Sequence, residues 1–189
     1  MAITIPLPTD DELSAEAREV LAALPPLNVF RMMAAVPSSF RPLLDFAASL
    51  LLQGAFDPRQ RELAILRVAH VTRAPYEWTQ HERLARNLGV TDAEIAAIAV
   101  DGSVTGLDAD GTLLCRVADE ISRDVRLSDA ALDALVQRYG VGPATELILC
   151  VSYFNMLSRF LESTRVPLEA VDVLGMRTPA DIGRDAGRG

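Results

Sequence analysis

From Asp10 to Ser163 the chain is punctuated by helix starts and stops, and no stretch alternates apolar and polar residues between hairpin turns. That pattern confines it to an all-α fold. Asp10 to Leu24 reads as an amphipathic helix halted by Pro25-Pro26. Asn28 can cap a short helix over Val29 to Ala35, and Ser38 or Ser39 can open another that runs to about Leu52. The strongest start signal is Asp57-Pro58, an N-cap followed by proline at the first helical position, which predicts a helix from about Arg59 to Val71. Pro75 restarts a helix over Tyr76 to Leu88, closed by Gly89. Thr91-Asp-Ala-Glu94 is a capping box for Asp92 to Val100. The glycine-containing segment Asp101 to Gly111 reads as a loop, and helices follow over Thr112 to Val125, Ser128 to Tyr139 and Ala144 to about Ser163.

Half of the 189 residues are hydrophobic and only 5% are aromatic, so the core is expected to be Leu, Ala, Val and Ile, which suits helices better than sheets. The length suits one domain, placed at residues 1–176 with a Gly/Arg/Asp-rich tail at 177–189. Glu62-Leu63 and Glu146-Leu147 each open an apolar helix, a faint sign of an internal helical repeat.

A formal net charge of −8 argues against nucleic acid or an anionic membrane as partner, and no apolar stretch reaches membrane-spanning length. All 18 basic residues are Arg. Without Lys there is no side-chain amine for a Schiff base, which removes one class of aldolase and pyridoxal-phosphate chemistry. Met1 to Leu13 has no basic and apolar pattern of a signal peptide, and Cys115 and Cys150 sit in apolar stretches as reduced thiols would in a cytoplasmic protein.

The chemistry concentrates between Arg61 and Glu82. Glu77 and His81 lie four apart on one helix face, and only the short break at Arg73 to Pro75 separates their helix from the one carrying Glu62. Whether Glu62 faces His81 depends on how the two helices cross; if it does, two carboxylates and an imidazole converge in an apolar setting that suits proton transfer near neutral pH. Each residue also has a plain structural role open to it. His81 can bond a helix end, Glu62 can be an N-terminal helix charge, and Glu77 can hold His81 in one tautomer. Tyr76 and Trp78 can be packing residues, Tyr76 also offering a hydroxyl. His70 reads as a satisfied core histidine. Asn155 and Arg159, four apart in the apolar last helix, read as a buried polar pair; the arginine either pairs with an internal Glu or grips a substrate carboxylate, a task for which Arg31 is a second candidate. No metal-ligand cluster, glycine-rich phosphate loop or nucleophile elbow is present in the sequence pattern.

The stretch from Glu62 to His81 resembles the signature of the alkylhydroperoxidase D-like superfamily: a Glu, eleven residues, Cys-x-x-Cys, three residues and a His, with Glu62 and His81 in register and Ala74 and Glu77 at the cysteine places. Arg61-Glu62-Leu63, Tyr76-Glu77-Trp78, Asn28-Val29-Phe30-Arg31 and Tyr153 to Phe160 look like the carboxymuconolactone decarboxylase branch that lacks the pair. The resemblance implies a helical bundle assembled as a homo-oligomer, a trimer or hexamer. The peroxidase members use the two thiols as a redox couple, which Ala74 and Glu77 cannot replace. What the resemblance then implies is a cofactor-free, redox-neutral enzyme on a small carboxylate or lactone, a lyase or decarboxylase. His81, Glu62 and Glu77 would be its catalytic residues, and Arg159, Asn155, Tyr76 and Arg31 would contact the substrate. A hydrolase, hydratase or isomerase on the same scaffold, or a non-catalytic oligomeric binding protein, are the alternatives.

Overall fold

The computed structural model describes residues 3–170; the tail expected at 177–189 and the last part of the expected domain lie outside them. The described residues are helical and contain no strand. A 3-10 turn, Asp10–Glu12, precedes α1 (Ala15–Ala22), α2 (Asn28–Met33), α3 (Pro37–Leu52), α4 (Pro58–Thr72), α5 (Pro75–Asn87), α6 (Asp92–Ile98), α7 (Ala109–Asp124), α8 (Asp129–Tyr139) and α9 (Val141–Thr164).

The punctuation works largely as the sequence indicates. The Asp57 carboxylate accepts from the Gln60 amide at 2.9 Å, Thr91 and Glu94 form the reciprocal box, and Gly89 turns the chain out of α5 at φ 84°. Differences fall at helix ends. The helix expected from Asp10 is split in two, because Ser14 caps a fresh start by accepting from the Ala17 amide. Asn28 is the first residue of α2 and not its cap; its amide donates to Glu169 at 2.6 Å. The loop expected to last until Gly111 ends earlier, since Asp108 accepts from the Gly111 amide at 2.7 Å and caps α7. Pro42 lies inside α3.

The chain forms two compact units. Among the described residues the first comprises 3–54 and 161–170; in it the Ile5 amide donates to the Thr164 carbonyl, and Arg31 donates to the Pro8 carbonyl and to Asp10 at 2.6 Å. The second, Ala55–Phe160, is centred on α4, of which nine consecutive residues from Arg61 to Ala69 are buried. Helices α5, α6 and α7 pack around α4. Leu63, Leu66, Ala85, Ile95, Ile98 and Cys115 form a cluster there, with Trp78 against it. A helix buried on every side reads as continuously apolar only if its charges are paired. Arg67 meets that condition. It is fully buried, grips Asp119 with Nε and Nη2 at 2.8 and 3.0 Å, and donates to the carbonyls of Ile98, Val100 and Gly102 at 2.6–2.8 Å. One guanidinium thus ties α7 to the C-terminal end of α6 and the loop beyond it.

Glu146 does not repeat the bonding of Glu62: its carboxylate accepts from the amides of Ala55 and Phe56 at 2.9 and 3.0 Å. No helix among the described residues is long and apolar enough to cross a membrane.

Candidate active site

The α4–α5 hairpin makes the site. Asp57 and Pro58 fix where α4 begins, which places Arg61 and Glu62 in its second turn. At the far end Arg73 adopts the left-handed conformation (φ 54°), and the Ala74 amide bonds back to the Ala69 carbonyl at 2.9 Å. Pro75 at once starts α5, whose Tyr76, Glu77, Gln80 and His81 turn inward. The two helices therefore run back along each other, and residues 19 apart in sequence meet.

His81 Nδ1 lies 2.7 Å from Glu62 Oε2, and its Nε2 lies 3.4 Å from Glu77 Oε2. Glu62 is 1%, Glu77 4% and His81 7% exposed. The Phe154 ring of α9 meets the imidazole edge-on at 4.8 Å, and Tyr153 stacks edge-on against Phe154 at 5.2 Å. Burial is the largest influence on the imidazole and opposes its charge. The adjacent Glu62 carboxylate, by charge and hydrogen bond, outweighs it with help from Glu77, so the His81 pKa is raised above its ordinary 6.5 even with the Arg61 guanidinium acting the other way. Burial and the negative charge of Glu77 push the Tyr153 hydroxyl far up, so it stays protonated. The arrangement is an imidazole between two carboxylates, with Nδ1 set to exchange a proton with Glu62 and Nε2 facing Glu77.

Glu62, Glu77 and His81 thus come together as one cluster, with Tyr76, 3% exposed, one residue before Glu77. The other expected substrate contacts have partners of their own. Arg31 belongs to the first unit and is engaged with Pro8 and Asp10. Asn155 is buried, but its carboxamide is turned to Arg159, Ser122 and the Val151 carbonyl. Arg159, expected to be buried, is exposed. The apolar run that suggested burial also covers an outward face of α9, where Leu149 is 45% and Met156 43% exposed. His70 is half-buried, 3.5 Å from Asp101 and edge-on to Trp78.

Two neighbours of the site escaped the sequence reading. Arg61 is 2% exposed, and its positive charge is felt by both His81 and Cys150; its place beside Glu62 was visible, its burial was not. Cys150, one turn before Phe154 on α9, is a buried thiol pushed up to about 12 by burial, with the charge of Glu62 adding to it against Arg61. Cys115 is likewise free, buried and pushed up to about 12, chiefly by burial. Burial thus works against the thiolate form in both.

Residues 37–120 match the model of the Carboxymuconolactone decarboxylase family. Among solved structures, the chain is similar to an alkylhydroperoxidase AhpD core, an uncharacterized peroxidase-related protein from Ralstonia eutropha JMP134: 16% identity, 90% of this chain and 94% of that one covered, TM-score 0.76. It is also similar to an uncharacterized peroxidase-related protein from Silicibacter sp. TM1040, with 16% identity, 89% and 92% coverage and a TM-score of 0.74. At such identity these likenesses establish the fold. No curated protein matches the chain.

Proposed function

We propose that this chain, whose residues 37–120 match the Carboxymuconolactone decarboxylase family, is a redox-neutral acid–base enzyme that removes a carboxyl group from a small carboxylated or lactone-bearing molecule. The observation that carries this reading is the buried 2.7 Å contact between His81 Nδ1 and Glu62 Oε2, whose carboxylate raises the imidazole's pKa. In the proposed reaction the carbon–carboxylate bond breaks, carbon dioxide leaves, and the electron pair stays on the substrate as an enolate-like carbanion. His81 delivers its Nε2 proton to that carbon, and the neutral imidazole recovers a proton from solvent. Glu62 fixes the ring and stabilises its charged form, Glu77 orients the donating edge, and the Arg61 guanidinium lends positive potential that favours a bound acid. Such a reaction needs no cofactor, because side chains supply its only co-reactant, a proton. The replacement of both cysteine places by Ala74 and Glu77 supports a redox-neutral chemistry over thiol peroxidation.

The test is release of carbon dioxide from a panel of carboxylated lactones and 3-oxo acids, with carboxymuconolactone included because the family carries its name. Turnover should fall about 100-fold or more in His81→Gln. Equal rates in the two proteins would remove His81 from the chemistry. A second reading, a non-catalytic binding protein, draws on the depth of the Glu62–His81 pair, which is 1% and 7% exposed. It is favoured if the whole panel is inert while His81→Gln lowers the melting temperature.

A further inference from the structure

A second feature of the same unit lies outside the Glu62–His81 cluster. Between α7 and the outer face of α9 is an open depression of about 340 Å³ lined by the polar side chains of Ser122, Ser152, Asn155 and Arg159 and by Ile121, Val125 and Met156 as its apolar wall; the Ser152 hydroxyl is spent on the Ile148 carbonyl. Glu62, Glu77 and His81 do not line it. Asn155, 8% exposed, sits under the polar side and directs both neighbours. Its Oδ1 accepts from Arg159 Nη1 at 2.6 Å, beside a 2.8 Å bond from the same nitrogen to the Asn155 carbonyl. Its Nδ2 donates to Ser122 Oγ at 2.8 Å and to the Val151 carbonyl at 3.0 Å.

Two consequences follow from donor arithmetic. Because Ser122 Oγ accepts from Asn155, its own O–H must point another way, and no acceptor takes it among the described residues. Because Arg159 spends Nη1 on Asn155 and reaches the Ser122 carbonyl only at 3.4 Å with Nη2, its Nε–H edge has no acceptor there. Nor does Arg159 pair with any carboxylate among the described residues, whereas Arg31, Arg59, Arg67, Arg86, Arg116 and Arg138 each do. An unneutralised guanidinium and a hydroxyl donor therefore border the same concavity, opposite apolar side chains. Val125 is 87% exposed and Met156 43%, so that wall is left to solvent.

We propose that this depression binds a small amphipathic monocarboxylate, its acid group held by the Arg159 Nε–H edge and the Ser122 hydroxyl, its hydrocarbon part laid over Val125 and Met156. The charge complementarity is specific: the only fixed charge on the lining is positive, in a chain of net charge −8. The site is independent of the acid–base reading, since it shares no residue with it.

The test uses hexanoate and hexan-1-ol as probes, with the Met156 methyl observed by carbon-13 methionine NMR and assigned through Met156→Leu. Hexanoate should shift that resonance saturably and bind about tenfold or more tightly than the alcohol. Arg159→Gln should bring hexanoate down to the level of the alcohol, Arg159→Lys should keep part of the difference, and Ser122→Ala should lose less than Arg159→Gln. Circular dichroism verifies that each variant is folded. Equal affinity for acid and alcohol would overturn the proposal in favour of a merely apolar patch. A Met156 methyl unmoved by hexanoate would overturn it too. So would light scattering that shows a second copy of the chain covering Met156, with the resonance shifting only on dilution.

Discussion

His81 is gripped at Nδ1 by Glu62 at 2.7 Å and faced at Nε2 by Glu77 at 3.4 Å, so both edges of one buried imidazole see a carboxylate. The ring should therefore hold its proton above pH 6.5. Carbon-13 or nitrogen-15 titration of the two histidines reads this directly. Removing the dominant favourable partner with Glu62→Gln should move the His81 midpoint downward, because burial then acts with less opposition. A midpoint unmoved by Glu62→Gln would mean that the carboxylate does not set the charge.

The same contact has a signed effect on stability. A histidine whose folded pKa is raised above 6.5 contributes its stability fully below that value and loses it as the pH climbs through the folded pKa. Urea unfolding measured from pH 6 upward should show the wild type losing stability relative to His81→Gln over that range. A constant difference between the two proteins would contradict the linkage.

Arg67 should be among the costliest side chains to remove. Arg67→Ala leaves Asp119 without its bidentate partner and strips donors from the carbonyls of Ile98, Val100 and Gly102, in a fully buried position. Breaking a buried pair of this kind costs about 3–5 kcal/mol. Chemical denaturation should register at least the lower figure, and a loss below about 1 kcal/mol would show that water replaces the guanidinium without difficulty.

Val125 closes α7 at φ 68°, a left-handed conformation that a β-branched side chain adopts only under strain, and it is 87% exposed. Val125→Gly gives up almost no buried surface and relieves that strain. It should raise stability by about 0.5–1 kcal/mol, visible as a higher melting temperature, despite the added freedom of glycine in the unfolded chain. A lower melting temperature would mean that the side chain contributes more than its exposure indicates.

The two thiols, both pushed up to about 12 by burial, should resist modification in the native state. Labelling with a disulfide reagent at pH 8 should be slow until denaturant is added and then rapid for both. Peroxide consumption with a dithiol donor should stay at background. Fast native labelling of Cys150, which sits near Glu62 and Arg61, would reopen a redox role for it.

Most of the helix plan could be read from the residues, because caps and prolines act locally. Asp57-Pro58, Thr91 with Glu94, and Gly89 each satisfy or end a helix with atoms a few residues away. The shared face of Glu77 and His81 was legible from their i,i+4 spacing, and the short Arg73–Pro75 turn made their helix a neighbour of the one carrying Glu62; that Glu62 faces His81 was decided by how the two helices cross. What the sequence could not decide was which face of a helix meets solvent when both faces are apolar. Asn155 and Arg159 looked like one buried pair in an apolar run, yet only Asn155 is buried, because the core takes one side of α9 and leaves Leu149, Met156 and Arg159 outside. Arg67 was equally silent, since the carbonyls and the carboxylate that justify burying its guanidinium come from segments tens of residues away. Local hydrogen-bond chemistry fixed the helices; only tertiary packing, which sets burial and hence the cost of each charge, brought Glu62 to His81 and decided which arginines belong to the core and which stay exposed.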